Sequence, residues 1–249
     1  MSTPSATECS PAPPSDSVSD ELRFTRQLPL LLSAVAGSVD VLGYLSLKLF
    51  TAHITGNIVI VAALLVQGGP PTLDQALSIP IFIVAVTVVW LVAGASRRRG
   101  RALARPLLLV QLVLLSCAWL FCVLTHPELN PRGLAADVAA MIAISAMASQ
   151  FALLQLTIPQ APSTAVMTGN VTKAVLGLLE TRSAGEPLLV DAAGHLRRSL
   201  ALIVVFVLSC MAGAGAFLWK GEWAWALPVA LAAAALAVCP RSAGTLGAR

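Results

Sequence analysis

Charge is scarce in this chain. Only 11% of its 249 residues are Asp, Glu, Lys or Arg, against about 25% in a typical soluble domain. Aromatic residues make up 5%, and tyrosine occurs once. Histidine occurs three times, as His53 and as His126 and His195 in polar loops, with no metal-ligand spacing among them. There is no Walker loop, no His-Glu-x-x-His, no Rossmann glycine pattern and no Ser/His/Asp constellation. The polar connections are too short to hold a soluble catalytic domain. These absences argue against an enzyme and against a cofactor or metal. What fills the chain instead is apolar: 57% of residues are hydrophobic and the mean hydropathy is +0.83. A soluble fold of this length could not hide so much apolar surface, whereas lipid solvates it directly.

The net charge is +4. Of the 16 basic residues, 13 are Arg, and most lie in short polar stretches beside apolar runs. That placement orients membrane helices. No aromatic residues interleave a basic stripe, so a nucleic-acid partner is excluded. Cys9, Cys117, Cys122, Cys210 and Cys239 show no ligand-pair spacing. The last four sit in or beside apolar runs, where a thiol packs as a small hydrophobe. Residues 1–27 are rich in Ser, Pro and acids and lack the layout of a secretory signal. They read as a disordered cytoplasmic tail.

Long apolar runs cover about 28–47, 76–96, 106–125, 135–158, 199–219 and 222–239. Each is long enough to cross roughly 30 Å of hydrocarbon at about 1.5 Å per residue. Two shorter apolar segments, 54–67 and 166–179, read as re-entrant or interfacial pieces. Both carry the same tripeptide: Thr55-Gly56-Asn57 and Thr168-Gly169-Asn170. Each follows one long run and precedes two more, so the chain reads as a duplication. The repeats would be 28–125 and 126–239, followed by a cytoplasmic tail at 240–249.

Charge decides whether the short segments cross. If they do not, Arg23, Arg26, the Arg97–Arg105 cluster, Arg182, Arg197, Arg198, Arg241 and Arg249 share one side. Only Lys48, Arg132 and Lys220 fall on the other. If both cross, the asymmetry nearly vanishes. The positive-inside rule therefore predicts six spans with both termini in the cytoplasm. Three spans per repeat give the second repeat the opposite orientation, an arrangement common in transporters. The expected fold is an all-α, polytopic transmembrane helix bundle: about six spans, two short Thr-Gly-Asn helical segments and an inverted internal duplication.

Asp40 is the sharpest single residue. It lies near mid-bilayer in the first run, and an intramembrane carboxylate is by default a candidate functional group. It serves as a proton or cation site, or it bonds a neighbouring Asn, Thr or His and fixes packing. Gly37, Gly43 and Ser33 near it allow a close partner backbone. His53 suits proton handling or an interfacial position, and Tyr44 an interfacial belt. In the Thr-Gly-Asn segments, Thr and Asn can cap buried helix starts, and such starts attract ions. Gln150 and Gln155 polarise the fourth long run. The second repeat places Leu153 where the first has Asp40. The candidate set for a small solute, proton or cation is Asp40, His53, Thr55, Gly56, Asn57, Gln150, Thr168, Gly169 and Asn170. The competing expectation is a scaffold or sensor in which these residues only stabilise the bundle.

Two signatures carry a family resemblance. Ala36-Gly37-Ser38-Val39-Asp40-Val41-Leu42-Gly43-Tyr44 is followed by Ala52-His53-Ile54-Thr55-Gly56-Asn57. Ala146-Met147-Ala148-Ser149-Gln150 is followed by Met167-Thr168-Gly169-Asn170. Together they resemble the YoaK-like family of bacterial inner-membrane proteins, a domain of unknown function. The resemblance runs from Leu28 to about Cys239 and implies roughly six spans and no particular substrate. Phe151 stands where that family usually has Asn after the Gln, so no role of that Asn transfers here.

Overall fold

A computed structural model of the chain describes residues 15–98, 103–157, 167–182 and 192–240. Among these residues there is no strand. Eight α-helices follow one another: α1 (Ser15–Leu47), α2 (Ile54–Val66), α3 (Leu73–Arg98), α4 (Ala104–Thr125), α5 (Leu134–Thr157), α6 (Met167–Arg182), α7 (Ala192–Lys220) and α8 (Ala226–Val238). Short 3-10 turns follow α4 (Pro127–Leu129) and α7 (Gly221–Trp225).

Five stretches are long and apolar enough to cross a bilayer: Arg23–Leu47, Leu73–Ser96, Ala104–Thr125, Leu134–Thr157 and Leu196–Val238. The last has 43 residues, about twice what one crossing needs, and it holds two helices, α7 and α8. α7 runs beside α1 in the same direction. Ser33 donates to the Leu202 carbonyl at 2.9 Å, and Ser46 lies against Glu222 at 3.0 Å. Gly221 then takes a φ of 57° and the chain reverses. α8 begins beside Ser46 through Trp225 and ends with Ala235 and Cys239 packed among Phe24, Leu28 and Leu32. The described residues thus form a multi-pass, membrane-type helix bundle with five candidate spans, the last folded back on itself.

α1 and α5 form the centre. About 72% of each apolar window is buried, against 17% for α3. α1 packs on α7 and α8, α5 packs on α3 and α4, and α1 and α5 cross antiparallel. α3 follows α5 in parallel: the Asp74 amide meets Asp137 at 3.2 Å, and Phe82 meets Phe151 with ring centroids 6.0 Å apart. At the centre, Gln111 donates to the Gln150 side-chain oxygen at 2.7 Å, and Gln150 donates to the Leu32 carbonyl at 2.9 Å. In a dry core such polar groups must satisfy one another. Gly37 lets α1 and α7 approach, because a Cβ there would lie 2.5 Å from the Phe206 carbonyl oxygen.

Two features differ from the sequence reading. α1 starts at Ser15, well inside the stretch read as a tail at 1–27. No Gly or Pro interrupts residues 15–28, and the fully buried Phe24 anchors this part to the bundle. His195, read as a loop residue, falls within α7. Residues 1–14, with Cys9, and the C-terminal segment from Arg241 lie outside the described residues. The short segments are helices as expected. α2 has 13 residues and α6 has 16, so at about 1.5 Å per residue neither reaches across 30 Å upright. α2 packs on α3 and α6 on α7.

Candidate functional site

α1 stops at Leu47, and Lys48 adopts a positive φ of 60°. Residues 49–53 then fold back along the last turns of α1. Gly43 makes that return possible, since a Cβ there would sit 3.0 Å from Thr51 Cγ2 and 3.2 Å from the Leu49 carbonyl oxygen. Irregular backbone this close to a membrane core needs partners for its N–H groups. Asp40, 5% exposed, supplies them. Its Oδ1 accepts from the Thr51 N–H at 3.0 Å and the Ala52 N–H at 2.6 Å. Its Oδ2 contacts His53 Nδ1 directly.

Asn57 completes the clasp from the other side. Its Oδ1 accepts from the Phe50 N–H at 2.8 Å, and its Nδ2 donates to the Phe50 carbonyl at 2.7 Å. The Phe50 ring covers Gly56, where a Cβ would meet Phe50 Cδ2 at 2.9 Å, and it stacks on Tyr44. The Thr-Gly-Asn tripeptide is therefore not a cap. His53 holds the N-cap position of α2 without a side-chain cap bond, and Thr55 is exposed. Asn57 reaches back to the loop ahead of its helix instead.

His53 is only part-buried. Its ring meets Phe206 of α7 edge-on at 5.6 Å. The hydrogen bond to Asp40 raises its pKa, burial opposes that rise, and the charge of Asp40 adds to it. A carboxylate and an imidazole in contact, one buried and one reachable, can pass a proton between them.

The structure gathers Asp40, His53, Gly56 and Asn57 in one place. Gln150 lies elsewhere, because it meets α1 at Leu32, about 12 Å along the helix from Asp40. Thr168, Gly169 and Asn170 open α6, a helix that packs on α7. Thr168 is exposed, Asn170 is buried, and the Asn170 amide lies 3.8 Å from Met167 Sδ.

The family model for "Protein of unknown function (DUF1275)" matches residues 28–238. The chain belongs to this family. The match opens at Leu28 and takes in both Thr-Gly-Asn segments, in agreement with the YoaK-like resemblance read from the two signatures. No curated protein and no solved structure matches this DUF1275 chain.

Beside the clasp, on the α2 side, lies a groove of about 460 Å³ whose polar lining is Tyr44, Lys48, Thr72, Gln75, Asn130 and Arg132. It holds two cations and no acid. Sequence reading missed three buried acids: Asp74 (0% exposed), Asp137 (7%) and Glu222 (1%). Each sits at a helix end or turn, where sequence position alone suggests solvent. No group of three His, Cys, Asp or Glu suited to a metal occurs among the described residues.

Proposed function

We propose that this DUF1275 protein is a small-solute or ion transporter of the bacterial inner membrane, with Asp40 and His53 as its proton-handling pair. The carrying observation is the direct contact between a buried carboxylate and a part-exposed imidazole at the entrance of a short, non-crossing helix. The packing supports an inverted duplication. α1 runs parallel to α7 and α5 parallel to α3, while α8 lies on α1 and α4 on α5. Exchanging α1–α4 with α5–α8 reproduces these contacts, as a two-fold axis in the membrane plane requires. The arginine asymmetry supports cytoplasmic termini, an orientation in which the groove with Lys48 and Arg132 opens outward and favours an anionic solute.

A second reading keeps the same residues as staples of a scaffold or sensor. Its support is the saturation of Asp40, whose two oxygens already hold a backbone turn and a histidine. Proton flux separates the two. Purified protein in liposomes loaded with a pH-sensitive dye is given an imposed membrane potential. Transport requires flux above that of empty liposomes, abolished by Asp40→Asn with the protein still folded. Flux equal to that of empty liposomes, or full flux in Asp40→Asn, overturns the role of the pair. Topology is tested at Thr55 and Thr168, both exposed. Single cysteines there should react with an impermeant reagent from opposite sides.

A further inference from the structure

The groove of about 460 Å³ beside the clasp has the volume of a small-molecule site. Its two cations come from separate connections: Lys48 follows α1, and Arg132 precedes α5. Both are exposed. Lys48 Nζ donates to the Leu45 carbonyl at 3.2 Å and lies 6.0 Å from the centre of the Tyr44 ring. Neither cation has a carboxylate partner among the described residues. Gln75 braces the wall between them. Its Nε2 donates to the Lys48 carbonyl at 3.3 Å, and its Oε1 accepts from the Thr72 N–H at 3.1 Å. Asp74 and Asp137 lie close by in the fold but not in the lining. Both are buried and accept backbone N–H groups, Asp74 from Gln75 at 2.8 Å and Asp137 from Asp74 at 3.2 Å.

The rest of the lining has the opposite character. Ile60 and Leu64, one turn apart on α2, form an apolar wall. Both are part-buried, whereas Ile58, Val59, Leu65 and Val66 are exposed elsewhere on the same helix. Leu129 also lines the groove and is 82% exposed, so it gains from any apolar cover. An inorganic anion would meet the cations and leave these three side chains wet. A neutral apolar molecule would cover them and desolvate two charges without a partner, which is costly. A molecule with both an acidic head and an apolar body satisfies both halves of the lining.

We propose that the groove binds a small amphipathic organic anion, its acidic head held by Lys48 and Arg132 and its short apolar body laid against Ile60, Leu64 and Leu129. This rests on the transport reading, whose solute it names by class. The same head chemistry occurs on anionic lipids. A space of about 460 Å³ takes a small free anion whole but admits only the head of a lipid, and the apolar wall then lacks its partner. The free solute is therefore the occupant.

Titration calorimetry on the full-length protein in phosphatidylcholine nanodiscs, with empty discs subtracted, tests it. Butyrate, hexanoate and octanoate are the probes. Affinity should rise along the series by up to about fourfold per methylene, and hexylamine should not displace hexanoate. Lys48→Gln combined with Arg132→Gln, both at exposed positions, should weaken hexanoate about tenfold. Ile60→Ser combined with Leu64→Ser should weaken hexanoate more than butyrate. If that variant fails to fold, the series in the unaltered protein still decides. No saturable binding, affinity independent of chain length, displacement by hexylamine, or full affinity without the two cations overturns the proposal. So does phosphatidylglycerol that stays on the purified protein in native mass spectra and leaves in the Lys48→Gln, Arg132→Gln variant, which assigns the cations to a lipid head. Hexanoate binding without proton flux supports the groove and sinks the transport reading, whereas flux without hexanoate binding overturns the groove alone.

Discussion

The two Thr-Gly-Asn segments share a tripeptide and a short helix, yet the helices that precede them, α1 and α5, differ at one matched position. The first is clasped from both sides: Asp40 holds Thr51, Ala52 and His53, and Asn57 holds Phe50. The second begins α6 with Thr168 exposed and Asn170 buried, and the gapless counterpart of Asp40 is the fully buried Leu153. Leu153 packs with Leu28, Leu32 and Leu108 in an apolar cluster and can accept no hydrogen bond. In the proposed duplication, one backbone plan carries a polar residue on one side and an oily one on the other. In the proposed transporter, proton chemistry belongs to the first half alone.

The largest expected effect comes from removing the clasp. Asp40→Ala strands two buried N–H groups and the His53 ring, and should cost about 3 kcal/mol, read as a fall in Tm in detergent. Leu153→Ala is the matching change across the comparison. It should also cost about 3 kcal/mol, by leaving a cavity, but should leave proton flux intact. Loss of flux in Leu153→Ala would break the asymmetry. Asn57→Ala unpairs both polar groups of Phe50 and should cost about 2 kcal/mol.

Smaller still is Gly56→Ala. The new methyl displaces the Phe50 ring for about 1 kcal/mol, whereas Gly215→Ala, with nothing within 4 Å, should be neutral. Finally, His53 gives the first segment a pH signature. Its pKa is raised by Asp40, so the contact stabilises fully below about 6.5 and fades as pH climbs through the raised value. His53→Gln should remove that dependence from the Tm profile.

Much of this was legible in the sequence. Apolar runs gave the passes because lipid demands a minimum helix length. The tripeptides located α2 and α6. Asp40 stood out because a carboxylate in a membrane run must find partners, and His among the expected ones is correct. The backbone N–H groups of Thr51 and Ala52 were not legible, since no side-chain pattern announces a returning loop. Glu222 was hidden for a related reason. Its partner Ser46 lies far off in the sequence, and only the parallel course of α1 and α7 brings the two together.

The clasp also has a mechanical meaning. With Asp40 and Asn57 gripping the same loop from two helices, the end of α1 and the start of α2 move as one piece. A rotation of α1 would swing α2 like a lever. The first place along the chain able to yield is Gly68-Gly69, where Gly68 has a φ of 75° and no atom within 4 Å of a would-be Cβ. The hinge of that lever therefore lies at the α2–α3 link, next to the groove that Lys48 and Arg132 line, and a swing of α2 would change the width of that groove.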